Sequence, residues 1–473
     1  MKKYLLYCAA VAALGGFLFG FDSGVISGCE QAIQDEFGLS PFWHGLVVAG
    51  ALIGTVIGVF CASGPADRFG RRPTLMMMAT LFLVSALGCA FTVTDKAIGP
   101  HMLGWMRFVG GLAIGGVSVV VPLYIVELAP GKVRGRLVAM NQLNIESGLF
   151  ISYVSNFFVA RWMVGNGWLK ALCTKIAGLC ASGAMTTEMV EWRVMLGVEC
   201  IPVILFFVLL FSIPESPRWL VRAGRENDAR RVLEKIGFPD VENTLSEIVA
   251  SLAEAANGAK VRLFQKRFAK PMLLAFLVAF FSQVSGVNAI NYYGPRIFDM
   301  VFGADSQMAS LMGTMGVGLM HVVFCLAAFA IIDRFGRRVL IIGGSAVMAA
   351  MLALTGYELY LGPERCSAVL AVVGILGFTA AFAISSGAVI WVYISEVFPN
   401  SVRAKGQALG SFTHWFFCML VSWSFVAVAE KAGHWAFVFF AAMMLAQLAW
   451  GLFWMPETKG GTIEDIEKRL GIS

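Results

Sequence analysis

The sequence predicts an all-α integral membrane protein of twelve spanning helices arranged as two repeated halves, and three observations carry that prediction. Only 14% of its 473 residues are charged and 58% are hydrophobic, whereas soluble domains carry about a quarter charged residues. Long runs without Asp, Glu, Lys or Arg recur along the chain. A charged segment appears twice, once in each half, in matching register.

The spans follow from run length, because a helix crossing a bilayer needs about 20 mostly apolar residues. The charge-free runs are 4–21, 37–66, 73–94, 108–126, 271–295, 306–332, 339–357, 366–395, 406–429 and 432–456. Two further apolar stretches, 137–160 and 194–214, are each interrupted once, by Glu146 and Glu199. These runs do not alternate in polarity, which excludes a β-barrel.

Orientation follows from the cations. Lys and Arg concentrate at the N-terminus, in 64–72, 131–136, 214–270, 333–338 and 400–405, and in the tail. These segments fall on one side if both termini are cytoplasmic, as the positive-inside rule requires. The net charge of +6 then reflects topology and not nucleic-acid binding. Lys2 and Lys3 ahead of an apolar stretch imitate a signal peptide. The stretch runs on into FGFDSGVISG with no small-residue cleavage site, so it reads as a retained first helix. The ten cysteines show no metal-ligand spacing. Cys173 and Cys180, in one outer loop, either pair or stay free thiols.

The first half occupies 1–213 and the second 269–456, with a charged linker at 214–268 and a tail at 457–473. The linker contains two helix-like pieces, 222–236 and 241–256. In the outer loop, 168–180 carries Lys170 and Lys175 and reads as interfacial. ADRFGRR at 66–72 returns as IDRFGRR at 332–338, and YIVELAPGKVR at 124–134 returns as YISEVFPNSVR at 393–403. PESPRWL at 214–220 and PETKGGT at 456–462 match more loosely. Duplicated halves are a transporter feature. They place the substrate between them near the midplane and rock about it.

The repeated charges suit a gate. Asp67, Arg68, Arg71 and Arg72, with Asp333, Arg334, Arg337 and Arg338, set Arg forks at helix ends, where they can grip carboxylates and exposed carbonyls. Glu127 with Arg134, and Glu396 with Arg403, supply matching charges at the next inner loop. Together they can latch the cytoplasmic side. These motifs, with PESPRWL and PETKG, resemble the sugar porter family of the major facilitator superfamily. The resemblance covers nearly the whole chain. It implies the major facilitator fold: two six-helix bundles, a cytoplasmic helical linker domain and alternating access. GFLFGFD, WRVMLGVECIP and SEVFPN add to the likeness.

Charges at membrane depth are costly and usually functional. Asp22, Arg107, Glu146 and Glu199 all lie in the first half, and the long runs of the second half contain none. At about 1.5 Å per residue, Asp22, Arg107 and Glu199 fall at similar depth. Arg107 favours the ionised carboxylate and burial favours the acid. Making and breaking an Asp22–Arg107 pair would therefore load and release a proton. In the family, symporters resemble this sequence in having Asp at the first-helix position and facilitators commonly have Asn; an Arg stands at the place of Arg107, and Glu199, which also matches a Glu, would modulate the pair.

A sugar needs amides for its hydroxyls and an indole for its apolar face. The seventh span offers Gln283 and Asn288, followed by Asn291, Tyr292 and Tyr293. The resemblance implies ligands at Gln142, Gln283, Asn288, Trp391 and Trp415. Three neighbours depart from the family: Ser282 stands where Gln is usual, His321 where Asn is common, and His414 where Gln or Asn is found. Glu146 replaces an aliphatic residue one turn after Gln142, and it either faces the cavity or pairs with a His. The expectation is a proton-coupled symporter of a monosaccharide, pentose or hexose, in a bacterial inner membrane. It would need no cofactor and work as a monomer in the lipid bilayer. A uniporter of the same fold is the alternative, and a non-transporting sugar sensor a more distant one. No nucleophile–base pair suggests an enzyme.

Overall fold

The computed structural model describes residues 3–164, 167–178, 185–257, 262–303, 307–362, 365–399 and 402–459. Among them the chain is helical, with no strand. The first half holds Lys3–Gly28, Pro41–Cys61, Arg71–Ala90, Gly99–Leu128, Gly131–Val164 and Thr187–Leu210 as its first to sixth spans. The second half holds Lys266–Phe302, Gln307–Ile332, Arg337–Leu361, Ala368–Glu396, Arg403–Lys431 and Gly433–Phe453 as the seventh to twelfth. The last two form one continuous helix, Arg403–Phe453.

Eleven of the described helices are long and apolar enough to cross a membrane. The fifth, Gly131–Val164, is 34 residues long but less apolar. It carries Asn141, Gln142, Asn144, Glu146, Ser152 and Asn156, and a span can hold such groups only where they face protein or a polar cavity.

The first span lies along the fifth and the second along the fourth. Between the halves, the second packs on the eleventh and the fifth on the eighth. Small residues allow the close approach. A Cβ on Gly45 would collide with the carbonyl of Trp423, and one on Gly111 with the carbonyl of Ala51. Outward-facing apolar side chains such as Ile201, Val208 and Val369 stay exposed. That surface suits lipid.

Three spans are broken, and the breaks position the site. The sixth is interrupted at Glu199, between Thr187–Val198 and Cys200–Leu210. Pro202, four residues after Val198, has no N–H to continue the ladder. The seventh breaks at Gly286, whose φ of 87° suits glycine alone. It bends again at Tyr293, ahead of Pro295. The tenth breaks at Ser385, between Ala368–Ile384 and Ser386–Glu396.

The linker forms three helices where the sequence suggested two: Pro217–Arg222, Glu226–Ile236 and Val241–Asn257. Ser216 accepts from the Trp219 amide and so starts a separate turn. Leu220, Ala229, Leu233 and Leu245 bury against one another beneath them. The outer-loop piece forms the helix Trp168–Ala177. Of the two loop cysteines, Cys180 lies outside the described residues.

Candidate functional site

Polar side chains gather at three levels. At the end that carries the basic repeats, the two halves make the same construction. The amides of Arg71 and Arg72 donate to Glu215 at 3.0 and 3.1 Å, and those of Arg337 and Arg338 donate to Glu457 at 3.0 and 3.0 Å. Each carboxylate satisfies the otherwise unpaired first N–H groups of a helix. Arg71 grips Glu127 with two nitrogens at 2.8 and 2.7 Å, and Arg337 grips Glu396 at 3.1 and 2.8 Å. Asp67 receives Arg71 and Arg222. Arg72 caps the carbonyls of Leu210 and Phe211, and Arg338 those of Gly451 and Leu452.

Glu127 thus meets Arg71, and Glu396 meets Arg337 and not the downstream Arg403 with which the sequence groups it. Among the described residues the Arg403 Nε has no hydrogen-bond partner. Arg68 and Arg334 lie over Phe69 and Phe335. The side chains of Arg134 and Asp333 lie outside the described residues. Among the described residues, none of these pairs joins the first half to the second: each stays within one half and the linker or tail segment that follows it.

Deeper in the first half, Arg107 Nη1 donates to Asp22 Oδ1 at 2.7 Å, and both side chains are 1% exposed. The carboxyls of Asp22 and Glu199 face each other as hydrogen-bond partners. Asp22 Oδ2 and Glu199 Oε1 receive no N–H or hydroxyl donor among the described residues. A hydrogen bond between two carboxyls needs a proton on one of them. This cluster can therefore hold one exchangeable proton beside a fixed cation.

In the second half a neutral cluster surrounds the break in the seventh span. Gln283 Nε2 lies 2.9 Å from His414 Nδ1 and 3.4 Å from Ser282 Oγ. Asn288, just past the break, donates to Gln283 Oε1 at 2.5 Å. The rings of Trp391 and Trp415 stand 4.9 and 5.0 Å from that of His414. Phe19, from the first half, meets Trp415 at 5.3 Å. Gln142 and His321 are set apart from this cluster. Gln142 bonds Glu146 on its own helix, and His321 bonds Asn291. Glu146 Oε2 lies 3.3 Å from His321 Nδ1, an approach without a hydrogen bond at that nitrogen among the described residues.

At the end opposite the basic repeats, a network that the sequence reading missed ties the halves together. Arg296 donates to both oxygens of Glu30 and to Gln34. Gln34 also donates to Glu430, and Gln307 donates to Glu191 at 3.2 Å. Glu30 follows the first span and Arg296 lies in the last turns of the seventh, and the two spans are equivalent in the repeat. Opposite charges at equivalent ends were the available signal.

Two repeated six-helix bundles, buried ionisable groups in one and a neutral amide–indole cluster at a broken helix of the other, define a secondary transporter of the major facilitator fold. The chain belongs to the sugar transporter family: the profile described as "Sugar (and other) transporter" matches residues 8–470. It is similar to the arabinose-proton symporter of Bacillus subtilis, 36% identical over 98% of this chain and 95% of that protein. It is similar also to the D-xylose-proton symporter of Escherichia coli, 32% identical over 98% and 96%. The inward-open structure of the E. coli xylose transporter superposes with a TM-score of 0.83, over 98% of this chain and all of that one, at 31% identity. The protein is a multi-pass membrane transporter and not an enzyme.

Proposed function

We propose that this protein carries a monosaccharide, pentose or hexose, together with a proton across a bacterial inner membrane by alternating access. The observation that carries the reading is the pair of facing carboxyls, Asp22 and Glu199, beside Arg107. A neutral solute gives no reason to bury three ionisable groups in one half, whereas a transported proton does. Asp22 is the proton carrier, Arg107 the cation that releases it, and Glu199 the group that shares it. Gln142, Ser282, Gln283, Asn288, His321 and His414 meet the sugar hydroxyls, and Trp391 and Trp415 its apolar face.

The basic end faces the cytoplasm by the positive-inside rule. The polar contacts that join the halves lie at the other end, which supports reading this arrangement as the inward-facing state. Outward opening must break the Arg296 contacts. It would also bring the basic ends together, where the intact Arg–Glu constructions of each half meet as preformed surfaces. One protomer holds both sites, so a monomer suffices. Coupling is energetically adequate: one charge moving through 100 mV supplies about 2.3 kcal/mol, roughly a fifty-fold sugar gradient.

The test is purified protein in proteoliposomes. Sugar addition should alkalinise the medium, and sugar should accumulate only with an imposed proton-motive force. Equal equilibration with and without that force would make the protein a uniporter.

A further inference from the structure

The Glu146 carboxylate is not needed for the proton cluster, and its surroundings point elsewhere. It lies on the fifth span and reaches across the boundary between halves to His321 on the eighth, Oε2 to Nδ1 at 3.3 Å. Its other oxygen accepts from Gln142 Nε2 at 2.9 Å. His321 Nε2 lies 3.2 Å from Asn291 Oδ1. Asn291 follows Asn288 by three residues on one helix, so the two share a face. Asn288 in turn holds Gln283. The chain Gln142–Glu146–His321–Asn291 is therefore a polar wall whose Asn291 end shares a helix face with Asn288 of the Gln283–Asn288–His414 cluster.

Helix-to-helix glue accounts for His321, whose side chain is 3% exposed, better than for Glu146, which keeps 17%. A carboxylate has about four acceptor positions and no donor. Gln142 fills one of them, His321 Nδ1 makes no hydrogen bond to it, and among the described residues no Lys or Arg pairs with it. Two adjacent hydroxyls of a sugar supply the donors such a group accepts. A second carboxylate brought to the same place meets like charge and loses hydration.

We propose that Glu146 contacts the transported sugar and determines specificity: it accepts hydrogen bonds from a neutral monosaccharide and bars uronates, the sugars that carry a carboxylate. This rests on the sugar-transport reading and adds the substrate class to it.

The experiment is counterflow in proteoliposomes with matched pairs, glucose with glucuronate and galactose with galacturonate, plus xylose and arabinose. Glu146→Gln keeps the shape and removes the charge. It should raise the KM for the transported neutral sugar roughly tenfold or more, as loss of a charged hydrogen bond does, with a smaller change in maximal rate, and it should admit the matching uronate. His321→Asn should still exclude uronates. Glu146→Asp, which keeps the charge on a shorter stem, should weaken neutral sugars yet exclude uronates, and it serves if the Gln variant does not fold. An unchanged KM with uronates still excluded in Glu146→Gln would overturn the proposal. So would entry of uronates in His321→Asn to the same degree, which would make Glu146 a tie and nothing more. If wild-type protein exchanges no neutral sugar of the panel, the transport reading falls first, which distinguishes the two failures.

Discussion

Arg296 of the second half holds Glu30 of the first with two nitrogens, Nε to Oε1 at 2.9 Å and Nη2 to Oε2 at 2.8 Å. Glu30 is fully buried, and His44 adds a third contact at 2.8 Å. Removing one partner of such a pair leaves a buried charge uncompensated, at a cost of about 3–5 kcal/mol. The cost falls on the inward-facing state, where the pair exists. Arg296→Gln should therefore shift the population toward the outward-open state. Spin-label pairs across that end should report a longer mean distance, and a distribution identical to wild type would remove Arg296 from the gate. The double variant Glu30→Gln with Arg296→Gln should lie between, because no orphan charge remains.

A second expectation concerns Asp22. Asn is nearly isosteric and can still accept from Arg107 Nη1, now 2.7 Å from Oδ1, but it cannot take up a proton. Asp22→Asn should abolish sugar-driven alkalinisation while leaving sugar counterflow within about tenfold of wild type, since exchange needs no net proton movement. Alkalinisation that survives in this variant would assign the proton elsewhere, with Glu199 the first alternative.

Much of this was legible in the sequence because bilayers impose simple rules. Run length located the spans, and the repeat of DRFGRR announced the two halves. Depth counting placed Asp22 and Arg107 level, and they lie 2.7 Å apart. What could not be read was partner choice. Glu396 groups in the sequence with Arg403, seven residues on. The structure gives it Arg337, because helix ends from distant segments converge at the basic end. The Glu30–Arg296 contact was hidden for the same reason: it joins residues far apart in the chain, each beside an ordinary apolar run. The two amides Glu215 caps also left no trace, because backbone N–H groups carry no sequence signal.

Gln283 offers a third prediction. Its amide is engaged on both sides, with His414 and Ser282 at Nε2 and Asn288 at Oε1. Gln283→Leu removes a donor and an acceptor where the sugar should bind, and leaves the half-buried Asn288 without its partner. An unsatisfied buried polar group costs about 1–3 kcal/mol. Calorimetric sugar affinity should fall roughly tenfold or more, with the proton-coupling groups untouched. Wild-type affinity would move the sugar away from the seventh span.

The last prediction uses pH at the basic end. Partial burial works against the charge of Glu457, but the amides of Lys459, Arg337, Arg338 and Thr458 outweigh it, so its carboxyl titrates below the usual glutamate value of 4.5. A carboxyl lowered in the folded state contributes stability above its unfolded value, and that contribution is lost as pH falls through the folded one. Glu457→Gln loses the charge-assisted part at every pH. It should therefore melt below wild type at neutral pH, and the gap should narrow only once pH drops beneath 4.5. Thermal melts of both proteins in one detergent, from neutral to acid pH, give the difference curve that isolates this group from the other carboxylates. A gap that stays constant across that range would mean that Glu457 holds the start of Arg337–Leu361 by shape and not by charge.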